Sequence, residues 1–161
     1  MDLPEGVVQA PLRGALHVVG GVVVDADLSN PPTIIRGMRV RVPAAVLEGV
    51  LELARGAHPR ETIMLLRGRS SDGAVTVDET LFPPMGVGGR GFASFPVHML
   101  PIDFTIVGTV HSHPSGSLSP SVGDLHNFYG RIMMIVGPPY DRSSVAAYDK
   151  RGERMTVEVS G

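Results

Sequence analysis

Two histidines one residue apart, His111 and His113, are the best candidates for chemistry in this chain of 161 residues. In a β-strand, side chains two residues apart project to the same face, so both imidazoles can reach one metal ion. A loop rich in Pro, Ser and Gly leads from them to Ser121 and Asp124. Because residues three apart share one face of a helix, a helix near Ser121 can turn Asp124 back towards the histidines.

The types of these residues indicate a hydrolytic zinc site. Catalytic zinc commonly binds three protein ligands and keeps one position open for water, whereas structural zinc sites close all four positions. The chain has no cysteine, which excludes thiolate nucleophiles, disulfides and Cys-rich structural zinc sites. Two alternatives stay open. Ser121 and Asp124 can form a variant of the capping box, and the histidines can be polar residues at the end of a strand.

The candidate site requires a strand before the histidines and a helix after them. Residues 104–113 predict that strand, with both histidines at its C-terminal end. Ser119-Pro120 predicts the N-cap and first position of a short helix. Glu61 lies at the entrance of another short apolar strand, residues 60–68. The sequence also predicts a helix at 43–57, with Pro43 at its first position. Further strands are predicted within 16–25 and at 39–42, 74–82, 131–137, 144–148 and 154–159. This order predicts an α/β (α+β) fold in which helices flank a sheet.

Composition limits the classes of partner. With 43% hydrophobic and 19% charged residues the chain can bury one ordinary core, and its net charge of −2 lacks the basic excess of an electrostatic nucleic-acid binder. No stretch approaches the roughly 20 apolar residues of a membrane span, and the first residues do not form a signal peptide. We therefore expect a soluble, cytoplasmic protein that binds neither nucleic acid nor a membrane.

The motif resembles that of a known family of enzymes. The run His111-Ser112-His113-Pro114 is followed by seven residues and Ser121, then by two residues and Asp124, with Glu61 upstream at a strand start. This pattern is similar to that of the JAMM (MPN+) zinc metalloproteases, and residues 39–159 resemble the small archaeal and bacterial members related to the proteasome-lid deubiquitinase. The resemblance implies a curved, mostly antiparallel mixed sheet of the MPN/JAMM (cytidine-deaminase-like) fold. Residues 37–161 would form the catalytic domain and residues 1–36 an N-terminal extension with an extra β segment.

The resemblance also implies a role for each residue of the site. One Zn²⁺ per chain is bound by His111, His113 and Asp124. Glu61 holds the zinc-bound water and acts as the general base, since zinc lowers the pKa of its water to about 7. Ser121 donates a hydrogen bond to the developing oxyanion. The implied reaction is hydrolysis of an isopeptide or peptide bond after the C-terminal Gly-Gly of ubiquitin or a ubiquitin-like protein.

The substrate is expected at a segment rich in Gly and Pro, residues 83–92. An extended Gly-Gly tail can pair with an exposed strand edge through backbone hydrogen bonds. The candidate contacts in this segment are Met85, Val87, Gly88, Gly89 and Phe92. Two related functions stay open, a processing protease for a sulfur-carrier protein of the ubiquitin fold and a RadC-like JAMM protein. Association as a homodimer is also left open.

Overall fold

The computed structural model of the chain describes residues 16–19, 22–25, 34–35, 37–71, 73–84, 87–89, 92–94 and 102–161. The chain divides into two compact units, Met1–Gly37 and Met38–Gly161. In the first unit, three short strands form an antiparallel sheet in sequential order, namely β1 (Leu16–Val19), β2 (Val22–Asp25) and β3 (Ile34–Ile35).

The second unit contains the predicted strands and helices of the candidate site. Its described elements, in chain order, are β4 (Arg39–Pro43), α1 (Ala44–Ala57), β5 (Ile63–Ser71), β6 (Ala74–Leu81), β7 (Val87–Gly89), β8 (Phe92–Ser94), β9 (Ile106–Ser112), α2 (Val122–His126), β10 (Ile132–Val136), β11 (Val145–Tyr148) and β12 (Arg154–Ser160). Seven strands close into a barrel in the order β10-β11-β12-β4-β6-β5-β9, while β7 and β8 form a separate antiparallel pair.

The barrel mixes both kinds of strand pairing. The pairs β5–β6, β5–β9, β10–β11 and β11–β12 are antiparallel, and the pairs β9–β10, β4–β12 and β4–β6 are parallel. The predicted curved, mixed and mostly antiparallel sheet is therefore confirmed, and its curvature is sufficient to close it. Among the described residues, no helix is long and apolar enough to cross a membrane.

Helix α1 packs its apolar face into the core of the second unit. Its buried residues recur at helical spacing, and they are Leu47, Val50, Leu51 and Ala54. The helix begins one residue later than predicted. Pro43 is the N-cap, because its ψ of 140° keeps it extended and it pairs with Ser160 of β12. The prediction that Pro43 is the first helical residue was therefore wrong.

Helix α2 also begins later than predicted. Ser121 is its N-cap and Val122 its first residue, so the assignment of Ser119-Pro120 as N-cap and first helical position was wrong. The physical reason is the capping box that Ser121 forms with Asp124, which fixes the start of the helix at this serine. Asp124 nevertheless lies one turn after Ser121, as the sequence predicted.

Strand β9 can approach β10 closely because it contains Gly108. Gly108 pairs with Ile132, and a Cβ added to the glycine would lie 1.9 Å from the Ile132 carbonyl oxygen. We expect Gly108→Ala to lower the free energy of unfolding by about 3 kcal/mol, since an inserted methyl group must push the two backbones apart. Denaturant unfolding measures this loss.

Gly49 provides the matched control. A Cβ at Gly49 in α1 meets nothing within 4 Å. Gly49→Ala should therefore stabilise the protein by about 0.5–1 kcal/mol through its helix propensity. A Gly108→Ala protein as stable as wild type would contradict the close approach of β9 to β10.

Candidate metal centre

The histidine pair lies where three strands meet at one end of the barrel. Strand β9 runs between β10, to which it is parallel, and β5, to which it is antiparallel. His111 lies in β9 and His113 directly follows it, and they are 5% and 8% exposed. Both imidazoles are therefore held in a largely dehydrated position by the strands on either side.

Each imidazole is oriented by a hydrogen bond at the ring nitrogen that faces away from Asp124. His113 Nδ1 lies 3.0 Å from the Ser117 carbonyl oxygen, and His111 Nε2 lies 3.2 Å from Thr109 Oγ1. A carbonyl oxygen only accepts, so His113 Nδ1 carries the proton and donates it. His113 therefore directs Nε2, and His111 directs Nδ1, towards Asp124. Each of these nitrogens offers a lone pair to a metal ion once it carries no proton.

Asp124 brings its carboxylate to both of these ring nitrogens. Its Oδ2 lies 3.3 Å from His113 Nε2, and its Oδ1 lies 3.7 Å from His111 Nδ1. The capping box holds it there, because Ser121 N–H donates to Asp124 Oδ2 at 2.7 Å and Asp124 N–H donates to Ser121 Oγ at 3.1 Å. The capping box that the sequence left open is therefore present, and it positions Asp124 beside the histidines.

Burial and hydrogen bonding set the charges of the three groups. Burial lowers the pKa of His111 to about 4, so this ring is neutral at pH 7 and its contact with Asp124 is not an ion pair. The hydrogen bond to Asp124 raises the pKa of His113. Burial alone would raise the pKa of Asp124, but hydrogen bonds from His113 and Ser121 outweigh it and lower that pKa far below its usual range. One neutral imidazole and one firmly ionised carboxylate suit metal binding.

Glu61 lies two residues before the start of β5, the strand that pairs with β9. Ile63 of β5 pairs with His111, and the Ser112 N–H donates to the Thr62 carbonyl oxygen, so the register places Glu61 opposite His113. Burial raises the pKa of Glu61, an effect opposed by the charge of His113 and reinforced by that of Asp124. A raised pKa moves this carboxylate towards the range in which it can exchange a proton near neutral pH.

The structure describes all but one of the remaining candidate residues. Ser121 is exposed, and since its Oγ accepts the Asp124 N–H, its hydroxyl hydrogen is available to another acceptor. The proposed substrate segment contains a short antiparallel hairpin, with Val87, Gly88 and Gly89 in β7 and Phe92 in β8. Met85 lies outside the described residues.

The donor set fits a zinc ion. The described residues contain no group of three or more His, Cys, Asp and Glu side chains already arranged around one point as metal ligands. The two measured pairs still have suitable spacing: tetrahedral ligands at about 2.0–2.1 Å from zinc lie about 3.3 Å apart. The observed separations are 3.3 Å from His113 Nε2 to Asp124 Oδ2 and 3.7 Å from His111 Nδ1 to the other carboxylate oxygen, Asp124 Oδ1. The fit to zinc rests on the distances in these two pairs. It also rests on the ligand types, because imidazole nitrogens and a carboxylate are ordinary zinc ligands.

Thr109 was missed from the sequence, although the alternation of β9 places it on the same face as His111. It is 1% exposed. We expect Thr109→Val to weaken zinc affinity by about 10–100-fold, because His111 loses the partner that fixes its ring. Competition with a chromogenic chelator measures this affinity.

Ser117 provides the control for Thr109. His113 is bound by the Ser117 backbone carbonyl, so Ser117→Ala leaves that hydrogen bond in place and should leave zinc affinity unchanged. Equal zinc affinity in Thr109→Val and wild type would show that the Thr109 hydroxyl does not orient His111.

Comparison with known proteins places this geometry in a family. A model of the prokaryotic homologues of the JAB domain matches residues 43–149. A probable metalloprotease of Haloferax volcanii is 36% identical over 128 residues, which cover 74% of this chain and 79% of that protein.

Solved structures agree with the sequence comparison. A JAB1/MPN domain protein from Archaeoglobus fulgidus is 38% identical with a TM-score of 0.55, over 77% of this chain and 100% of that one. A structure described as a JAMM metalloprotease-like zinc site in the proteasome and signalosome is 34% identical with a TM-score of 0.54, over 78% and 99% of the two chains. A protein from Desulfitobacterium hafniense, 17% identical with a TM-score of 0.55 over 75% and 92%, shows the fold alone. The MPN/JAMM fold predicted from the motif is confirmed, and the chain belongs to the JAMM family of JAB1/MPN domain proteins.

Proposed function

We propose that the protein is a zinc-dependent peptidase that hydrolyses the bond after the C-terminal Gly-Gly of a ubiquitin-like protein, in isopeptide or linear linkage. The observation that carries this proposal is the contact of Asp124 with both His111 and His113, beside the partly buried Glu61. The probable metalloprotease from Haloferax volcanii and the metalloprotease-like zinc site support hydrolysis as the reaction class.

Each side chain of the centre has a distinct task in this proposal. His111, His113 and Asp124 hold the zinc, which when bound polarises a carbonyl group and lowers the pKa of water to about 7. Glu61 takes a proton from the attacking water and transfers it to the leaving amine. The exposed Ser121 hydroxyl donates to the carbonyl oxygen as negative charge develops on it.

The β7–β8 hairpin is the proposed binding edge for the substrate tail. Each of these strands has a single neighbour among the described residues. An extended Gly-Gly tail can therefore add as a further strand, with affinity from backbone hydrogen bonds and little demand on side chains. The tail has no bulky side chain, which suits the glycine pair of β7, Gly88 and Gly89.

Cleavage of defined substrates tests the proposal. The protein is incubated with linear fusions to a ubiquitin-like protein, with isopeptide conjugates and with sulfur-carrier proteins extended by cysteine, each with and without a chelator. We expect chelator-sensitive release of a product that ends in Gly-Gly. Cleavage confined to the cysteine-extended carriers would assign the enzyme to carrier processing. No cleavage of any of these substrates by the zinc-loaded protein would contradict the proposal.

A further inference from the structure

A serine between the two histidines joins the metal-binding strand to the strand start that carries Glu61. Ser112 is fully buried, at 0% exposure. Its backbone N–H donates to the Thr62 carbonyl oxygen at 3.0 Å. Its Oγ accepts the Thr62 N–H at 2.8 Å and lies 3.0 Å from Thr62 Oγ1. Three hydrogen bonds, here named the Ser112–Thr62 clamp, therefore hold the residue directly after Glu61.

The clamp replaces part of the regular ladder between β5 and β9. In an antiparallel sheet, the two residues of a hydrogen-bonded pair exchange two N–H···O=C bonds. At Thr62 the hydroxyl oxygen of Ser112 takes the place of the carbonyl oxygen as the acceptor. The backbone next to Glu61 is consequently held by one backbone hydrogen bond and by the Ser112 hydroxyl oxygen, at the point where β9 ends.

The alternation of side chains puts the clamp and the reacting groups on opposite faces of the sheet. His111 and His113 share one face, and the register places Glu61 with them, whereas Ser112 and Thr62 point to the other face. The Ser112 side chain therefore points away from the face that carries His111, His113 and Glu61. It can influence the reaction only through the backbone that carries Glu61.

We propose that Ser112 is a positioning residue that holds the Glu61 carboxylate where it can exchange a proton with water and substrate. This role rests on the proposed function of Glu61 as the general base. Displacement of a catalytic group by about 1 Å can cost about 100-fold in rate. The loss of the Ser112 hydroxyl removes the acceptor of the Thr62 N–H and frees Glu61 to shift by such a distance.

Kinetics of Ser112→Ala test the positioning role. We expect kcat to fall by about 10–100-fold, while KM changes by less than about threefold. Zinc affinity, measured by chelator competition, should change by less than about threefold, because the three ligands keep their own partners. In a Glu61→Gln background, Ser112→Ala should lower the residual kcat by no more than about twofold, since both changes act on the same group. Losses that multiply in the double variant would overturn the proposal.

Hydrogen exchange tests the clamp independently of any activity. In the zinc-free Ser112→Ala protein, the Thr62 amide should exchange at least about tenfold faster than in zinc-free wild type. The Gly68 amide, which donates to the Thr105 carbonyl oxygen further along β5, should be unchanged. Unchanged exchange at Thr62 would refute the clamp and leave the peptidase proposal intact. Faster exchange with an unchanged kcat would refute the positioning role alone.

Ser144 supplies a matched control for a buried serine. It is 4% exposed, and its Oγ accepts the Asp141 N–H at 2.9 Å in the connection between β10 and β11. Ser144→Ala removes a similar hydrogen bond without a link to Glu61. We expect a comparable fall in melting temperature with kcat within about twofold of wild type. A loss of kcat equal to that of Ser112→Ala would assign both effects to general loosening and overturn the proposal.

Discussion

Glu61→Gln is expected to keep zinc and to lose most of its turnover. The substitution preserves the size of the side chain and removes its negative charge together with its capacity to take up a proton. Loss of a general base typically costs about 100–10,000-fold in rate. Because Glu61 is not one of the three proposed ligands, zinc content should stay at about one ion per chain. Steady-state kinetics on a cleavable fusion, combined with metal analysis of the same sample, measures both quantities.

A second glutamate separates this effect from a simple change of charge. Glu52 in α1 is exposed and lies outside the centre. Glu52→Gln removes the same charge and should leave kcat, KM and zinc content as in wild type. Normal turnover by Glu61→Gln would show that the general base is another group, and loss of zinc from this variant would show that Glu61 serves the metal.

The paired substitution of His111→Ala and His113→Ala should abolish both zinc binding and cleavage. It removes both oriented imidazole nitrogens and leaves Asp124 as the single proposed ligand of the three. A carboxylate alone does not hold zinc at micromolar concentration, since structural and catalytic sites need three or four ligands. We expect zinc content to fall from about one ion per chain to none. Elemental analysis after dialysis measures it.

His126 gives the control for the removal of a histidine. It lies in α2, two residues from Asp124, and is exposed. His126→Ala should bind zinc and cleave substrate as wild type does. A full complement of zinc in the doubly substituted protein would place the metal elsewhere in the chain.

Much of the centre could be predicted from local sequence patterns. The alternation of a strand puts His111 and His113 on one face, and the period of a helix puts Asp124 one turn after Ser121. These are short-range relations that depend only on the type of secondary structure. The predicted start of α2 was wrong because both Ser119 and Ser121 suit an N-cap, and only the pairing of Ser121 with Asp124 decides between them.

The closure of the barrel and the hydrogen bonds around the centre depend on contacts between distant parts of the chain. The closure of the barrel requires β4 to pair with both β6 and β12, and no local pattern encodes that register. The hydrogen bonds of Thr109 and Ser112 could not be read from the sequence for a similar reason. A serine or threonine in a strand can bond to many neighbours, and the partner is known only once β5 lies beside β9.

The most direct test of the proposed zinc centre is the position of the metal in the zinc-loaded protein, measured by anomalous X-ray scattering at the zinc edge. We expect one peak per chain, about 2.0–2.1 Å from His111 Nδ1, His113 Nε2 and an Asp124 carboxylate oxygen. A crystal grown with excess zinc that shows no peak between these three side chains, or a peak held by other residues, would contradict the proposed centre.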